Sequence, residues 1–116
     1  MDAADQRRLL GLLGLGIRGR NCVVGVDRVR EAAHNGSLRV AVMAADAARN
    51  SREKVEGLIA AKGIPLLTIA SASDLGEVAG RETTTIIGVV DVQLAKGILA
   101  LAGSAGAVQK GSRGKV

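Results

Sequence analysis

The 116 residues include no phenylalanine, tyrosine or tryptophan. That excludes the RNP-type sheets and OB-folds that stack single-stranded bases on aromatic rings. It also leaves the core to be built from Leu, Ile, Val, Ala and Met. Cysteine is nearly as scarce: Cys22 stands alone, so it can form no internal disulfide and no metal knuckle. It is expected as a small buried apolar residue on a strand. The one histidine, His34, lies beside Asn35-Gly36 and is expected to meet the last carbonyls of a helix rather than serve as a base. With no metal site or catalytic constellation to assemble, neither a cofactor nor an enzymatic activity is expected. No apolar run approaches the ~20 residues needed to cross a bilayer, so a soluble chain with no membrane partner is expected. The start, Met1-Asp2-Ala3-Ala4-Asp5, is acidic where an export signal would be basic, which predicts a cytoplasmic protein.

The chain is rich in cations. Lys and Arg number 16 against 11 Asp and Glu, a net charge of +5 that suits an acidic partner such as nucleic acid or an anionic membrane surface. An apolar share of 47% is enough to fill one core, and a length of 116 residues leaves no room for a second domain. Residues 103–116 hold Lys110, Arg113 and Lys115 and no acid. Their composition cannot offset the entropy of ordering, which predicts a disordered basic tail behind a single domain of residues 1–102. A second cluster, Arg18, Arg20, Arg28 and Arg30, surrounds one turn inside that domain and is the better functional candidate.

Periodicity predicts alternating helices and strands. Leu9, Leu10, Leu12, Leu13 and Ile17 recur at helical spacing over residues 3–18, with glycines that predict a frayed C-terminal half. Cys22-Val23-Val24 reads as a short strand. After Gly25, the residues Val26, Val29, Ala32 and Ala33 form one face of a helix that stops at Asn35-Gly36. Residues 39–45 are a continuous apolar run, as in a strand covered on both faces. Asn50 and Glu53 have capping-box spacing for a third helix ending at Gly63. Residues 65–69 form the next strand, and Ser73, Asp74 and Glu77 suit the cap and first turn of a fourth helix ending at Gly80. The β-branched residues 83–87 predict a strand, and Asp91 caps a last helix running to Ala102. The implied class is α/β, a three-layer α/β/α sandwich with a four-stranded mixed sheet.

Such sheets host many functions. Gly14-Leu-Gly16-Ile-Arg-Gly19 has the spacing of a dinucleotide fingerprint, but it follows a helix and leads into a strand, the reverse of the required order. It is expected as a flexible connection. Asp46 and Asp91 follow strands, where α/β proteins often bind ligands, and their expected work is capping and loop shaping.

Other segments bring in a family. Arg39-Val-Ala-Val-Met-Ala-Ala-Asp46, its continuation through Asn50-Ser51 to Lys54, Pro65 before a strand, Leu75-Gly76-Glu77-Val78-Ala79-Gly80-Arg81 and Leu94-Ala95-Lys96 resemble, in that order, the ribosomal kink-turn-binding proteins of the L7Ae and L30e type. Within that family the chain resembles the bacterial YlxQ-like branch. The resemblance runs from about Leu12 to Leu99 and implies an α/β/α fold that grips kink-turns, sharply bent RNA helices with sheared G·A pairs beside a bulge. It further implies that the start of the helix after the first strand holds the RNA, here Gly25, Val26, Asp27, Arg28, Arg30 and Glu31. Two loops assist, one at Asp46 and one at Gly80, Arg81, Glu82 and Thr83, with Arg18 and Arg20 nearby.

A helix N-terminus presents unpaired amides with partial positive charge, which suits phosphate. The chain departs from the family there, with Asp27, Arg28, Arg30 and Glu31 in place of the usual Gly-x-Asn-Glu-x-Thr-Lys or Gly-x-x-Gln-Thr-x-Lys run, so the position carries over and the contacts do not. Two readings stay open: Arg28 and Asp27 read a guanine edge, or Asp27 caps the helix while the arginines only attract phosphate. The implied partners are structured RNA and the ribosome, with the protein a monomer. The other readings are a protein-interaction module of the translation apparatus that has lost its RNA and, more remotely, an enzyme of nucleotide chemistry.

Overall fold

Glycines at positions 14 and 16 lower helix propensity, yet the first helix, α1, runs unbroken over Ala3–Arg18. The reason is tertiary. Both glycines are buried contacts, Gly14 against Val78 and Gly16 against Leu94 and Cys22, where an added Cβ would stand 2.6 Å from the Cys22 sulfur. Their loss of propensity is offset by the close approach of three neighbouring elements, and the dinucleotide-like spacing falls largely inside this helix. At its start Asp2 accepts from the Asp5 amide at 2.8 Å, a cap worth ~1 kcal/mol.

The computed structural model describes residues 2–104 and 108–109. After α1 come β1 (Cys22–Val24), α2 (Val26–His34), β2 (Val40–Ala44), α3 (Arg49–Ala61), β3 (Leu66–Ala70), α4 (Ala72–Ala79), β4 (Ile86–Val89), α5 (Val92–Ser104) and β5 (Val108–Gln109). The expected four strands form a mixed sheet in the order β1-β4-β2-β3, parallel only between β2 and β3, and the two-residue β5 extends it beyond β3. Of the tail predicted to be disordered, residues 105–107 and 110–116 lie outside the described residues, whereas Val108-Gln109 pair with Leu66 and Leu67.

Strand alternation sorts the core into two layers. Val40, Val42 and Ala44 pack with Leu67, Ile87 and Val89 beneath α1, α4 and α5; Ala41 and Met43 pack with Leu66 and Ile86 beneath α2 and α3. All five residues of β2 are buried, so the central strand is apolar throughout.

Three local expectations are corrected. Asn50 does not cap α3, which begins at Arg49 after Ala48, and Glu53 pairs with Arg49 at 3.0 Å instead of closing a capping box. The cap of α4 is Ser71, which accepts from the Asp74 amide at 3.0 Å, two residues before the expected Ser73. Residues 83–85 precede β4 as a loop, because the Thr84 amide donates to Ala72 O at 2.9 Å and so leaves the ladder for α4. Asp91 does cap α5, accepting from the Leu94 amide at 2.8 Å.

Candidate nucleic-acid interface

Gly25 opens α2 with φ +100° and ψ 159°, a conformation essentially restricted to glycine. A Cβ placed there would meet nothing within 4 Å, so backbone conformation alone demands the residue. Its N–H donates to Ile86 O at 3.0 Å and its carbonyl accepts from Val29 at 3.1 Å. The helix start is thereby stitched to β4. No side chain caps it, and the amides of Val26, Asp27 and Arg28 meet no acceptor among the described residues. Three donors with the positive end of the helix dipole are thus left for an anion.

Beside this start, a concavity of about 580 Å³ opens along β1, which pairs only with β4 and so has one free edge. Its rim carries Arg20, Arg28, Glu31 and Arg81, and its floor is Ile17, Cys22, Val23, Val24 and Ala79. Arginines from three different segments line it together with one glutamate. Among the described residues no ion pair engages any of the four, which leaves the arginines for an outside acceptor. Burial and then the Asp91 carboxylate push the Cys22 thiol up to about 12, so at neutral pH it is an uncharged part of the floor.

Arg20 sits at φ +64°, the only non-glycine residue with positive φ among the described residues. It occupies the left-handed position that closes α1, with its amide on Ile17 O at 3.2 Å and the Asn21 amide on Gly16 O at 2.7 Å. Glycine usually fills that position; here Gly19 precedes it at φ −87°, where any residue fits. The left-handed backbone costs an L-residue ~1–2 kcal/mol.

Arg81 reaches the rim because α4 ends at Gly80, whose φ of +71° turns the chain, and because the Arg81 amide returns to Gly76 O at 2.8 Å. The next residues, Glu82 and Thr83, are exposed in a loop pressed onto α4: a Cβ at Gly76 would lie 2.6 Å from both Glu82 O and Thr83 Cα. Asp46 follows β2, and its carboxylate accepts from the Ala72 amide at 2.8 Å, tying that loop to the start of α4. Because Ala44 N–H donates to Thr85 O at 2.8 Å and Gly25 N–H to Ile86 O, the expected segments at Gly25, Asp46 and Arg81–Thr83 gather at one end of the sheet.

Two expected residues are placed elsewhere. Arg30 donates to Lys54 O on α3 and turns from the concavity. Arg18 lies over Gly14 and lines a separate groove between α1 and α5. Val26 is half-buried against the α2–α3 core, while Asp27 is exposed at the helix start with no hydrogen bond to the protein among the described residues. Sequence reasoning missed the floor, since nothing local marks β1 as an edge strand.

A three-layer α/β/α unit with an uncapped helix start and an arginine-rimmed hollow defines a class, and comparison with known proteins places it. Residues 9–99 match the ribosomal protein L7Ae/L30e/S12e/Gadd45 family, and the chain belongs to it. RNA-binding protein YlxQ of Bacillus subtilis (strain 168) is 29% identical over 90 residues, 78% of this chain and 90% of that protein. A solved protein of unknown function from Bacillus halodurans C superposes with a TM-score of 0.76 at 27% identity, covering 82% of this chain and 96% of the other. The Giardia lamblia 15.5kD RNA binding protein superposes at 0.74 and 20% identity, covering 92% of each, and supports the fold alone. Among the described residues no helix is long and apolar enough to cross a membrane.

Proposed function

We propose that this protein binds structured RNA, with the start of α2 and the arginine-rimmed hollow as its grip, and that its target is a kink-turn of the translation apparatus. The observation that carries the reading is the convergence of Arg20, Arg28 and Arg81 on one hollow beside three unoccupied helix amides. Phosphates of a bent duplex satisfy both groups at once: the amides hold one backbone position and the guanidinium groups hold its neighbours. Family membership and the RNA-binding name of its Bacillus subtilis relative support the same reading. The work is binding, not catalysis. Residues 1–102 form the binding domain, the basic tail adds non-specific attraction, and the protein acts as a cytoplasmic monomer.

Asp27 at the helix start adds base reading to phosphate binding. With its carboxylate free, it accepts from a guanine N1–H and amino group while Arg28 donates to O6 and N7, each pair contributing ~1–3 kcal/mol of discrimination. Titration of a kink-turn RNA and of a variant with its G·A pairs disrupted tests this. The expected result is at least tenfold preference for the intact kink-turn, with affinity falling steeply as salt rises. Equal affinity for both RNAs eliminates base reading; no binding to either at low salt refutes the RNA reading and leaves a protein-interaction module.

A further inference from the structure

We propose that the groove between α1 and α5 docks an amphipathic helix of another protein that carries acidic residues at both ends of its apolar stripe. Helices on a protein surface ordinarily turn a polar face outward; α1 and α5 expose Arg7, Arg8, Arg18 and Lys96 there, but with apolar side chains among them. Leu15 on α1 is 59% exposed. Between the helices lies a groove of about 600 Å³ with Leu12, Leu15 and Leu101 along it. It is open because side chains are missing from both walls: a Cβ at Gly11 or at Gly97 would meet nothing within 4 Å.

Charge selects the occupant. Among the described residues the only charged ones lining the groove are Arg8 and Arg18, and neither is in an ion pair. Ten positions apart on one helix, they stand ~15 Å from each other along its axis. A partner helix laid along the groove meets them with carboxylates at a similar separation, while its leucines at three- and four-residue spacing fill the gap over the glycines. A second copy of the chain would bring arginine against arginine. A bilayer is flat where this surface is concave, and RNA gains nothing from a leucine floor. The groove and the RNA hollow diverge at the end of α1, Arg18 serving one and Arg20 the other, so the proposal stands or falls apart from the RNA reading.

The test is a two-dimensional NMR titration of the full chain with a synthetic peptide bearing leucines at helical spacing and glutamates about ten residues apart, beside the same peptide with lysines for glutamates. The expected result is saturable shifts of Gly11, Leu12, Leu15, Gly97 and Leu101, with the lysine peptide weaker by roughly fivefold or more. Gly97→Leu fills the groove where space is open and improves helix propensity; it should keep the fold, as thermal melting reports, and abolish the shifts. Absence of shifts at millimolar peptide, equal binding of the lysine peptide, or undiminished binding by Gly97→Leu overturns the proposal. It is equally overturned if these resonances respond instead to kink-turn RNA, to phosphatidylglycerol vesicles or to raised protein concentration. Shifts at Gly25–Glu31 on adding that RNA report on the RNA reading alone.

Discussion

Replacing Arg20 by glycine is expected to strengthen the fold and weaken the RNA complex. The residue holds φ +64° in the turn that closes α1, a conformation costing an L-residue ~1–2 kcal/mol. Glycine relieves that cost and gives back ~0.5–1 kcal/mol through its larger unfolded-state entropy. The net gain is up to about 1.5 kcal/mol, or up to about 7 °C in Tm for a domain of this size. The hydrogen bonds of the turn, Arg20 to Ile17 O and Asn21 to Gly16 O, are made by backbone and survive the change. The hollow, by contrast, loses one of its three guanidinium groups. If that group contacts phosphate, the slope of log affinity against log salt falls by about one. Without Trp or Tyr, melting is followed by far-UV circular dichroism at 222 nm, and affinity by gel shift over a salt series. A lower Tm would refute the strain argument. A raised Tm with unchanged affinity and salt slope would remove Arg20 from the interface and leave the hollow to Arg28 and Arg81.

Further outcomes follow from other positions. Gly25→Ala forces an L-residue into φ +100°, ψ 159° and should cost ~1–3 kcal/mol in urea unfolding; a neutral result would mean the helix start rearranges freely. Gly76→Ala drives a Cβ to within 2.6 Å of the Glu82 carbonyl and should destabilise by ~1–3 kcal/mol, with amide shifts across residues 80–85; a silent spectrum would show the loop is not seated on α4. Ser71→Ala removes the cap of α4 and should lower stability by ~1 kcal/mol, recovered by Ser71→Asp; no recovery would argue against capping as the cause. Because the Cys22 thiol is raised from 9.0 to about 12, the unfolded chain loses its proton first. The contribution of Cys22 to stability is therefore full below pH 9 and lost as pH rises from 9 toward 12. Alkylation by iodoacetamide at pH 8.5 should be far slower for folded than for urea-unfolded protein, and equal rates would show Cys22 to be freely ionised.

The layers of the fold were legible along the chain because each element carries its own period. The unbroken apolar run of β2, the leucines of α1 and the glycines that close α2, α3 and α4 each report a local energy. Caps were less legible. Ser71, not Ser73, closes the start of α4, and Ala48, not Asn50, precedes α3, since several nearby residues compete for the same amides and packing decides among them. The expected strand at residues 83–87 failed in its first half for a similar reason: β propensity of the threonines yielded to a loop docked over Gly76.

The candidate site divides along the same line. Local sequence by itself determined that a glycine-led helix follows a short strand, and that arginines cluster around it, because helix termini and charge are properties of neighbours in the chain; that no side chain caps the helix came from the structure. Only the tertiary structure decided which arginines meet. Arg20, Arg28 and Arg81 come together while Arg18 and Arg30 turn to other faces. Strand order leaves β1 at the sheet edge and carries the end of α4 to it, and contacts across more than fifty residues depend on packing that no local period records.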